Sequence, residues 1–143
     1  MRPVNFFYVH CSATPPNMDI GADEIRDWHV NDNGWSDIGY HWVIRRDGVI
    51  EKGRDLDGDG EVDDDAGAHA FGHNADSVGI CLVGGWHGDF DFTLEQVQSL
   101  KSLWDYYRAR YNGIQARGHR DIPGVTKTCP NFDVRSLLNG GHD

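Results

Sequence analysis

The chain is 143 residues long, with 38% hydrophobic and 25% charged residues, a balance typical of globular rather than disordered proteins. This length suits one domain with one hydrophobic core. The net charge of -10 argues against binding to nucleic acid and to anionic membrane surfaces, because both need clustered lysine and arginine.

The chain carries no predicted membrane segment. No apolar run approaches the roughly 20 residues that a membrane-spanning helix needs. The N-terminal stretch "MRPVNFFYVHCSAT" also lacks the apolar run and small-residue site of a secretory signal peptide. We therefore expect no membrane insertion, and a protein that stays in the cytosol where it is made until another agent releases it.

Hydrophobic periodicity and turn residues predict a single α/β domain in which helices flank a central mixed β-sheet. The predicted strands cover residues 5–10, 40–54 (a hairpin that turns at Asp47-Gly48), 77–84 and 114–117. The predicted helices cover residues 22–30, 93–111 and 132–138. The second helix is the clearest, because Thr93 and Gln96 match a capping box and apolar residues follow at helical spacing from Val97 to Tyr111.

Three cysteines in a chain without a signal peptide do not make a disulfide framework. Cys81 lies in an apolar strand, and we expect it to pack as a small hydrophobic residue. His10 and Cys11 end the first strand. Side chains alternate along a strand, so if His10 faces a cleft, Cys11 faces the core.

His10, His119 and Cys129 are candidate metal ligands at the ends of different elements. Two imidazoles and one thiolate suit zinc, and three protein ligands leave a fourth position open, as in catalytic zinc sites. The alternative is a surface histidine and two unrelated buried or free thiols. Spacing alone favours that alternative, because His10 lies far along the chain from the other two.

Four stretches, in this order along the chain, resemble a known family: "FFYVHCSAT", "EIRDWHVNDNGWSDIGYHWVIRRDGVIEKGRD", "GAHAFGHNADSVGICLVGG" and "GHRD…KTCPNFD". Together they resemble the zinc-dependent N-acetylmuramoyl-L-alanine amidases of the bacteriophage T7 lysozyme type, which are similar to the peptidoglycan recognition protein domain. The resemblance runs from about Phe6 to Asp133. It implies that residues 1–143 form a single amidase catalytic domain.

The resemblance also implies roles for individual residues. Zinc would be held by His10, His119 and Cys129, and Tyr40 and Lys127 match the catalytic tyrosine and lysine of the family. Without the resemblance, Tyr40 is a tyrosine packed at the start of a strand and Lys127 is a solvated surface lysine. His69 and Asn74 match a segment that lines the substrate groove, although a polar loop leading into a strand explains them equally well.

The activity implied by the resemblance is hydrolysis of the amide bond between N-acetylmuramic acid and the L-alanine of the peptidoglycan stem peptide. The expected protein is a monomeric phage endolysin of a Gram-negative host. It would be made in the host cytoplasm and would act on periplasmic peptidoglycan after release. The alternatives are a non-catalytic peptidoglycan-binding module and a regulator that binds a polymerase. The presence of Cys129, Tyr40 and Lys127 together favours the enzyme.

Residues 55–65, "DLDGDGEVDDD", form an acidic insertion that is longer than the corresponding segment of the T7 type. The insertion resembles the calcium loop of an EF-hand, with Glu61 contributing its backbone carbonyl and Asp65 replacing the acid missing at the last position, Ala66. The predicted ligands of this structural calcium are Asp55, Asp57, Asp59, Glu61, Asp63 and Asp65. The alternative is a solvated acidic turn.

Overall fold

Every strand and helix predicted from the sequence is present in the computed structural model, which describes residues 2–138. The strands are β1 (Phe6–Cys11), β2 (Trp42–Ile44), β3 (Ile50–Lys52), β4 (Ser77–Leu82) and β5 (Gln115–Gly118). The helices are α1 (Ala22–Asp27), α2 (Leu94–Arg110) and α3 (Val134–Leu138). A π-helical turn, Trp28–Asp32, continues α1, and 3-10 turns cover Val62–Asp64, Trp86–Gly88 and His119–Asp121.

The five strands form one mixed sheet in the order β3-β2-β4-β1-β5. The central strand β1 runs parallel to both β4 and β5, β2 runs parallel to β4, and only β3 is antiparallel to its neighbour. The carboxyl ends of β1, β4 and β5 therefore meet at one edge of the sheet, which is where open α/β sheets bind their ligands. The predicted fold class is confirmed.

Alternation along the strands buries both faces of the sheet. One face packs against α2 and α3, with Phe7 and Leu82 of the sheet against Trp104 of α2 in the largest apolar cluster. The other face packs against α1, where Ile25 contacts a cluster that includes the fully buried Cys81. Cys81 thus packs as the small hydrophobic residue that its sequence context predicts.

The start of α2 is fixed to the sheet by a buried amide. Thr93 Oγ1 accepts the N–H of Gln96 at 3.1 Å and the Gln96 side chain accepts the N–H of Thr93 at 3.0 Å, which confirms the capping box. Gln96 is also fully buried, and its Nε2 donates to the carbonyls of Ile44 and Val83. Val97, the first apolar residue of the predicted series, lies in α2 and is partly buried, whereas the neighbouring Gln96 takes the inward position. Within residues 2–138, no helix has both the length and the apolar character needed to cross a membrane.

A second buried polar side chain, His41, joins two neighbouring segments. Its Nδ1 accepts the N–H of Gly79 at 3.0 Å, and its Nε2 lies 2.6 Å from the carbonyl oxygen of Asp65, to which it donates. The ring is fully buried. Burial lowers the pKa of His41 to about 4, so the folded protein holds this imidazole neutral.

The buried imidazole predicts a loss of stability in mild acid. The unfolded chain protonates His41 near its ordinary pKa of about 6.5, whereas the folded protein resists protonation until about pH 4, so the unfolded state binds more protons between these values. We expect His41 to lower the free energy of unfolding by roughly 3 kcal/mol as the pH falls through this window. Urea unfolding at several pH values measures the effect. His41→Asn keeps an acceptor for Gly79 but does not titrate, and an equally steep pH dependence in that variant would contradict the assignment.

Candidate functional site

A cleft of about 270 Å³ opens at the carboxyl edge of the sheet. It brings together residues that are far apart in the sequence, from β1, the loop before β2, the loop before β4 and the segment after β5. All three predicted zinc ligands, both predicted catalytic residues and one of the two predicted groove residues line it: His10, His119, Cys129, Tyr40, Lys127 and His69.

Parallel pairing explains why the two histidines meet. His10 is the penultimate residue of β1, and His119 follows directly after β5, the parallel neighbour of β1. Their ring centroids are 4.5 Å apart. Burial lowers the pKa of both imidazoles, strongly for the buried His10, and the nearby charge of Lys127 adds to the shift at His119. Both rings are therefore neutral near pH 7, the form in which histidine binds metals.

Cys129 reaches the cleft from a loop that is tied back to the 3-10 turn by a 2.9 Å hydrogen bond from the N–H of Arg120 to the Cys129 carbonyl. Its sulfur accepts the N–H of Cys11 at 2.8 Å and lies 3.0 Å from the Cys11 sulfur. The hydrogen bond with Cys11 and burial raise the pKa of the Cys129 thiol.

The prediction that Cys11 faces the core while His10 faces a cleft is wrong in part. Cys11 does belong to the core on the α2 side, but β1 ends there and its side chain also lines the cleft.

The donor set of this cleft suits zinc, since it offers two neutral imidazoles and one thiol, the ligands that zinc prefers. Within residues 2–138, the donor atoms of His10, His119 and Cys129 are not all within 4.8 Å of one another, whereas those of a group in the acidic insertion are. Residue types and a shared cleft thus fit zinc.

Tyr40 and Lys127 present two different donors to the same cleft. The ring of Tyr40 lies 5.2 Å from the ring of His10, centroid to centroid. Burial raises the pKa of Tyr40 well above its ordinary value, so its phenol stays protonated and can donate a hydrogen bond. Lys127 is exposed and also lines the adjoining depression, so its ammonium group is accessible to a ligand.

The two predicted groove residues, His69 and Asn74, differ in what they contact. His69 is buried, and its Nδ1 lies 2.9 Å from His10 Nε2. Asn74 Oδ1 accepts the N–H groups of His69 and Ala70 at 3.0 and 2.9 Å, so it holds the loop in shape. Asn74 also lines a depression next to the cleft. The contact between His69 and His10 is a feature of the cleft that the sequence did not predict, because it joins residues 59 positions apart.

Aromatic side chains flank the cleft on two sides. Trp35 and Phe71 line a depression of about 310 Å³ next to His69, and Trp86 lines another of about 350 Å³ next to Cys129. The side chain of Phe71 is fully exposed. Sequence reasoning did not single out Phe71, because one aromatic residue in a loop is usually a packing residue. Exposed rings beside a cleft offer stacking surfaces for sugars.

The acidic insertion gathers only part of its predicted calcium ligands. One oxygen each from Asp55, Asp57 and Asp59 lies within 4.8 Å of the others. The Glu61 carbonyl, predicted as a ligand, accepts the N–H of Asp64 at 3.3 Å. The Asp65 carboxylate accepts the N–H of Leu56 at 3.0 Å.

Asp63 contradicts the calcium prediction most clearly. It is buried, and its carboxylate accepts hydrogen bonds from the hydroxyls of Tyr107 and Tyr111 on the α2 side of the molecule. Arg110 lies 3.5 Å from the same carboxylate. Asp63 thus anchors the insertion to α2 and does not face the other aspartates. Calcium binding by Asp55, Asp57 and Asp59 stays a prediction.

Removing this anchor should destabilise the protein. In Asp63→Ala, two tyrosine hydroxyls and Arg110 lose a buried acceptor, which costs about 3 kcal/mol of unfolding free energy. Asp57→Ala is the matched control, because Asp57 is exposed and its loss should change stability by less than about 0.5 kcal/mol. Urea unfolding in a chelator measures both without a contribution from calcium. Equal effects of the two substitutions would contradict the anchoring role.

Comparison with known proteins decides the family. The family model described as N-acetylmuramoyl-L-alanine amidase matches residues 1–132. The chain belongs to this amidase family. It is 47% identical over 132 residues to the endolysin of Enterobacteria phage T3 and 46% identical over 132 residues to that of Escherichia phage T7, and each match covers 90% of this chain and 81% of the relative. The solved amidase LysC from Clostridium intestinale URNW superimposes with a TM-score of 0.78 at 28% identity, covering 96% of this chain and 87% of that one.

These findings confirm the family inferred from the four sequence stretches. The protein is an amidase of the phage endolysin type, and its substrate is peptidoglycan. The bond that this family hydrolyses joins N-acetylmuramic acid to L-alanine. The family is generally zinc-dependent. The cleft at the carboxyl edge is thus the candidate active site.

Proposed function

We propose that this amidase hydrolyses its substrate with zinc held by His10, His119 and Cys129, and that Tyr40 and Lys127 act on the scissile amide. The observation that carries the proposal is the convergence of these five side chains on one cleft from separate parts of the chain. The neutral state of both imidazoles supports metal binding near neutral pH. When bound, zinc supplies a Lewis acid and lowers the pKa of a coordinated water from 15.7 to about 7.

The side chains of the cleft assist hydrolysis by hydrogen bonding and charge. Attack on the amide carbonyl places negative charge on its oxygen, and the ammonium group of Lys127 stabilises that charge, a contribution of about 3 kcal/mol for a well-placed donor. Tyr40, which stays protonated, donates a hydrogen bond at the reacting amide. Trp35 and Phe71 on one side and Trp86 on the other offer stacking faces for the sugar rings of the glycan.

The biological setting belongs to the same proposal. We assign a Gram-negative host because the similar endolysins come from an Enterobacteria phage and an Escherichia phage. The enzyme would be made in the host cytoplasm, act on periplasmic peptidoglycan after release, and work as a monomeric catalytic domain with residues 55–65 as an insertion. Met1 and residues 139–143 of that domain lie outside the described residues.

A product assay on purified Gram-negative peptidoglycan tests the reaction and its metal. We expect mass spectrometry to detect free stem peptides that begin with L-alanine, beside glycan that has lost them. A chelator should abolish release and added zinc should restore it. His119→Ala and Cys129→Ser should lower the rate by about 100-fold or more, together with their zinc content. Intact peptidoglycan after incubation with folded, zinc-loaded protein would favour the non-catalytic binding module, and a chelator-resistant activity would exclude the zinc proposal.

The proposed roles of Lys127 and Tyr40 predict a specific kinetic pattern. On a soluble muropeptide, Lys127→Ala and Tyr40→Phe should each lower kcat by about 100-fold with little change in KM, because their hydrogen bonds strengthen in the transition state. Zinc content should not change in either variant. Lys101→Ala, an exposed lysine on α2 outside the cleft, is the control. A rise in KM alone, with kcat preserved, would assign these residues to substrate binding instead.

A further inference from the structure

The ring of His69 is held against the sheet beside His10 in a slot that two glycines make. Side chains alternate along β4, so Ser77 and Gly79 lie on the same face of the sheet as His10 of the neighbouring β1. A Cβ atom at Gly79 would lie 2.5 Å from the His69 ring, and a Cβ at Gly67 would lie 2.6 Å from it. Only glycine at these two positions leaves room for the ring, which fixes both its place and its plane.

The hydrogen bonds around this ring determine which nitrogen carries the proton. Ser77 Oγ lies 2.7 Å from the carbonyl oxygen of His73, which can only accept, so the single hydroxyl proton of Ser77 is used there. The Ser77 oxygen is then an acceptor for His69 Nε2, 3.3 Å away. His69 therefore carries its proton on Nε2, and its Nδ1 has a free lone pair.

The tautomer of His69 in turn determines which nitrogen of His10 carries the proton. The free lone pair of His69 Nδ1 lies 2.9 Å from His10 Nε2 and accepts its proton in a hydrogen bond. Neutral His10 then has its lone pair on Nδ1, the one ring nitrogen that this contact leaves for a metal, and its side chain lines the cleft. His10 thus donates to His69, His69 donates to Ser77, and Ser77 donates to the carbonyl of His73.

We propose that His69, supported by Ser77, is a positioning residue that holds His10 in the tautomer and orientation needed to bind the metal through Nδ1. The inference rests on the proposed zinc site. Metal-binding histidines generally donate their second N–H to an acceptor, which is most often a carboxylate, a carbonyl or a water, and loss of that acceptor lowers metal affinity by about 10- to 100-fold. Here a neutral imidazole fills this role.

This assignment also removes His69 from the set of substrate contacts. Both of its ring nitrogens are used inside the protein, one by His10 and one by Ser77, and its side chain is buried. No polar atom of the ring remains for a substrate hydrogen bond. The resemblance to the family placed His69 in a segment that lines the groove. We instead assign its ring the role of holding the metal ligand His10 in position.

Nitrogen-15 NMR on the zinc-loaded, histidine-labelled protein reads the tautomers directly. We expect His10 to be protonated on Nε2 with the shift of a metal-bound nitrogen at Nδ1, and His69 to be protonated on Nε2. The His69 signals are assigned by their absence in His69→Asn. A proton on Nδ1 of His69, or metal bound through Nε2 of His10, would overturn the proposal without affecting the amidase reaction.

Zinc affinity, measured by competition with a chelator, tests the same point with a matched pair of variants. Asparagine and leucine are similar in size, but only asparagine offers an acceptor near the position of His69 Nδ1. We expect His69→Leu to bind zinc about 10- to 100-fold more weakly than the wild type, and His69→Asn to recover most of that loss. Equal zinc affinities of the two variants would overturn the proposal.

Two further variants complete the design. If His69→Leu does not fold, Ser77→Ala serves in its place: it removes the acceptor of His69 Nε2–H, and zinc affinity should fall several-fold while the NMR spectrum shows loss of the single His69 tautomer. If Ser77→Ala leaves both the zinc affinity and the His69 tautomer unchanged, the proposed role of the hydrogen-bond series from His10 through His69 to Ser77 is excluded. His10→Ala separates the two proposals, because zinc binding that survives this change refutes the proposed zinc site itself. If zinc binding is lost in His10→Ala but kept in the His69 and Ser77 variants, only the role of His69 is refuted.

Discussion

The parallel pairing of β1 with both β4 and β5 is the constraint on which the site depends. It brings three carboxyl ends to one edge of the sheet, so that His10 at the end of β1 meets His119 immediately after β5. The pairing with β4 has a second consequence, since it places Ser77 and Gly79 beside β1 on the face that carries His10. A shift of one residue in either register would turn His10 to the opposite face of the sheet.

Three buried polar side chains, Gln96, His41 and Asp63, form hydrogen bonds that join separate elements of the fold. Gln96 ties α2 to the ends of β2 and β4, His41 joins Gly79 to the loop of the acidic insertion, and Asp63 ties the same insertion to α2. A buried polar group without partners costs stability, whereas a satisfied one specifies a single arrangement of the elements around it. These contacts surround the sheet that carries the site, so they limit how far its edge can move.

The fold followed from the sequence because its signals are local. Apolar alternation marks β1 and β4, and the Thr93–Gln96 capping box marks the start of α2. Residue type alone made His10, His119 and Cys129 candidate ligands, but their spacing favoured unrelated residues. The resemblance to the amidase family was needed to prefer the zinc site and to add Tyr40 and Lys127. The contacts of Cys11 and Asp63 could not be predicted. The first depends on where β1 ends, and the second depends on how a loop packs against tyrosines that follow more than 40 residues later.

The chain of hydrogen bonds behind His10 also determines which side chains remain for the substrate. His69 has no free ring nitrogen, and Asn74 uses its carbonyl oxygen to hold the loop that carries His69, so only its amide hydrogens can reach a ligand. On the roles proposed above, recognition of the glycan and the stem peptide would fall to other side chains that line the depressions, among them the rings of Trp35, Phe71 and Trp86. The loop before β4 would then hold the metal ligand on its buried side and contact the substrate on its exposed side. Substitutions of Phe71 should consequently alter binding of peptidoglycan without altering zinc affinity, whereas substitutions of His69 should do the reverse.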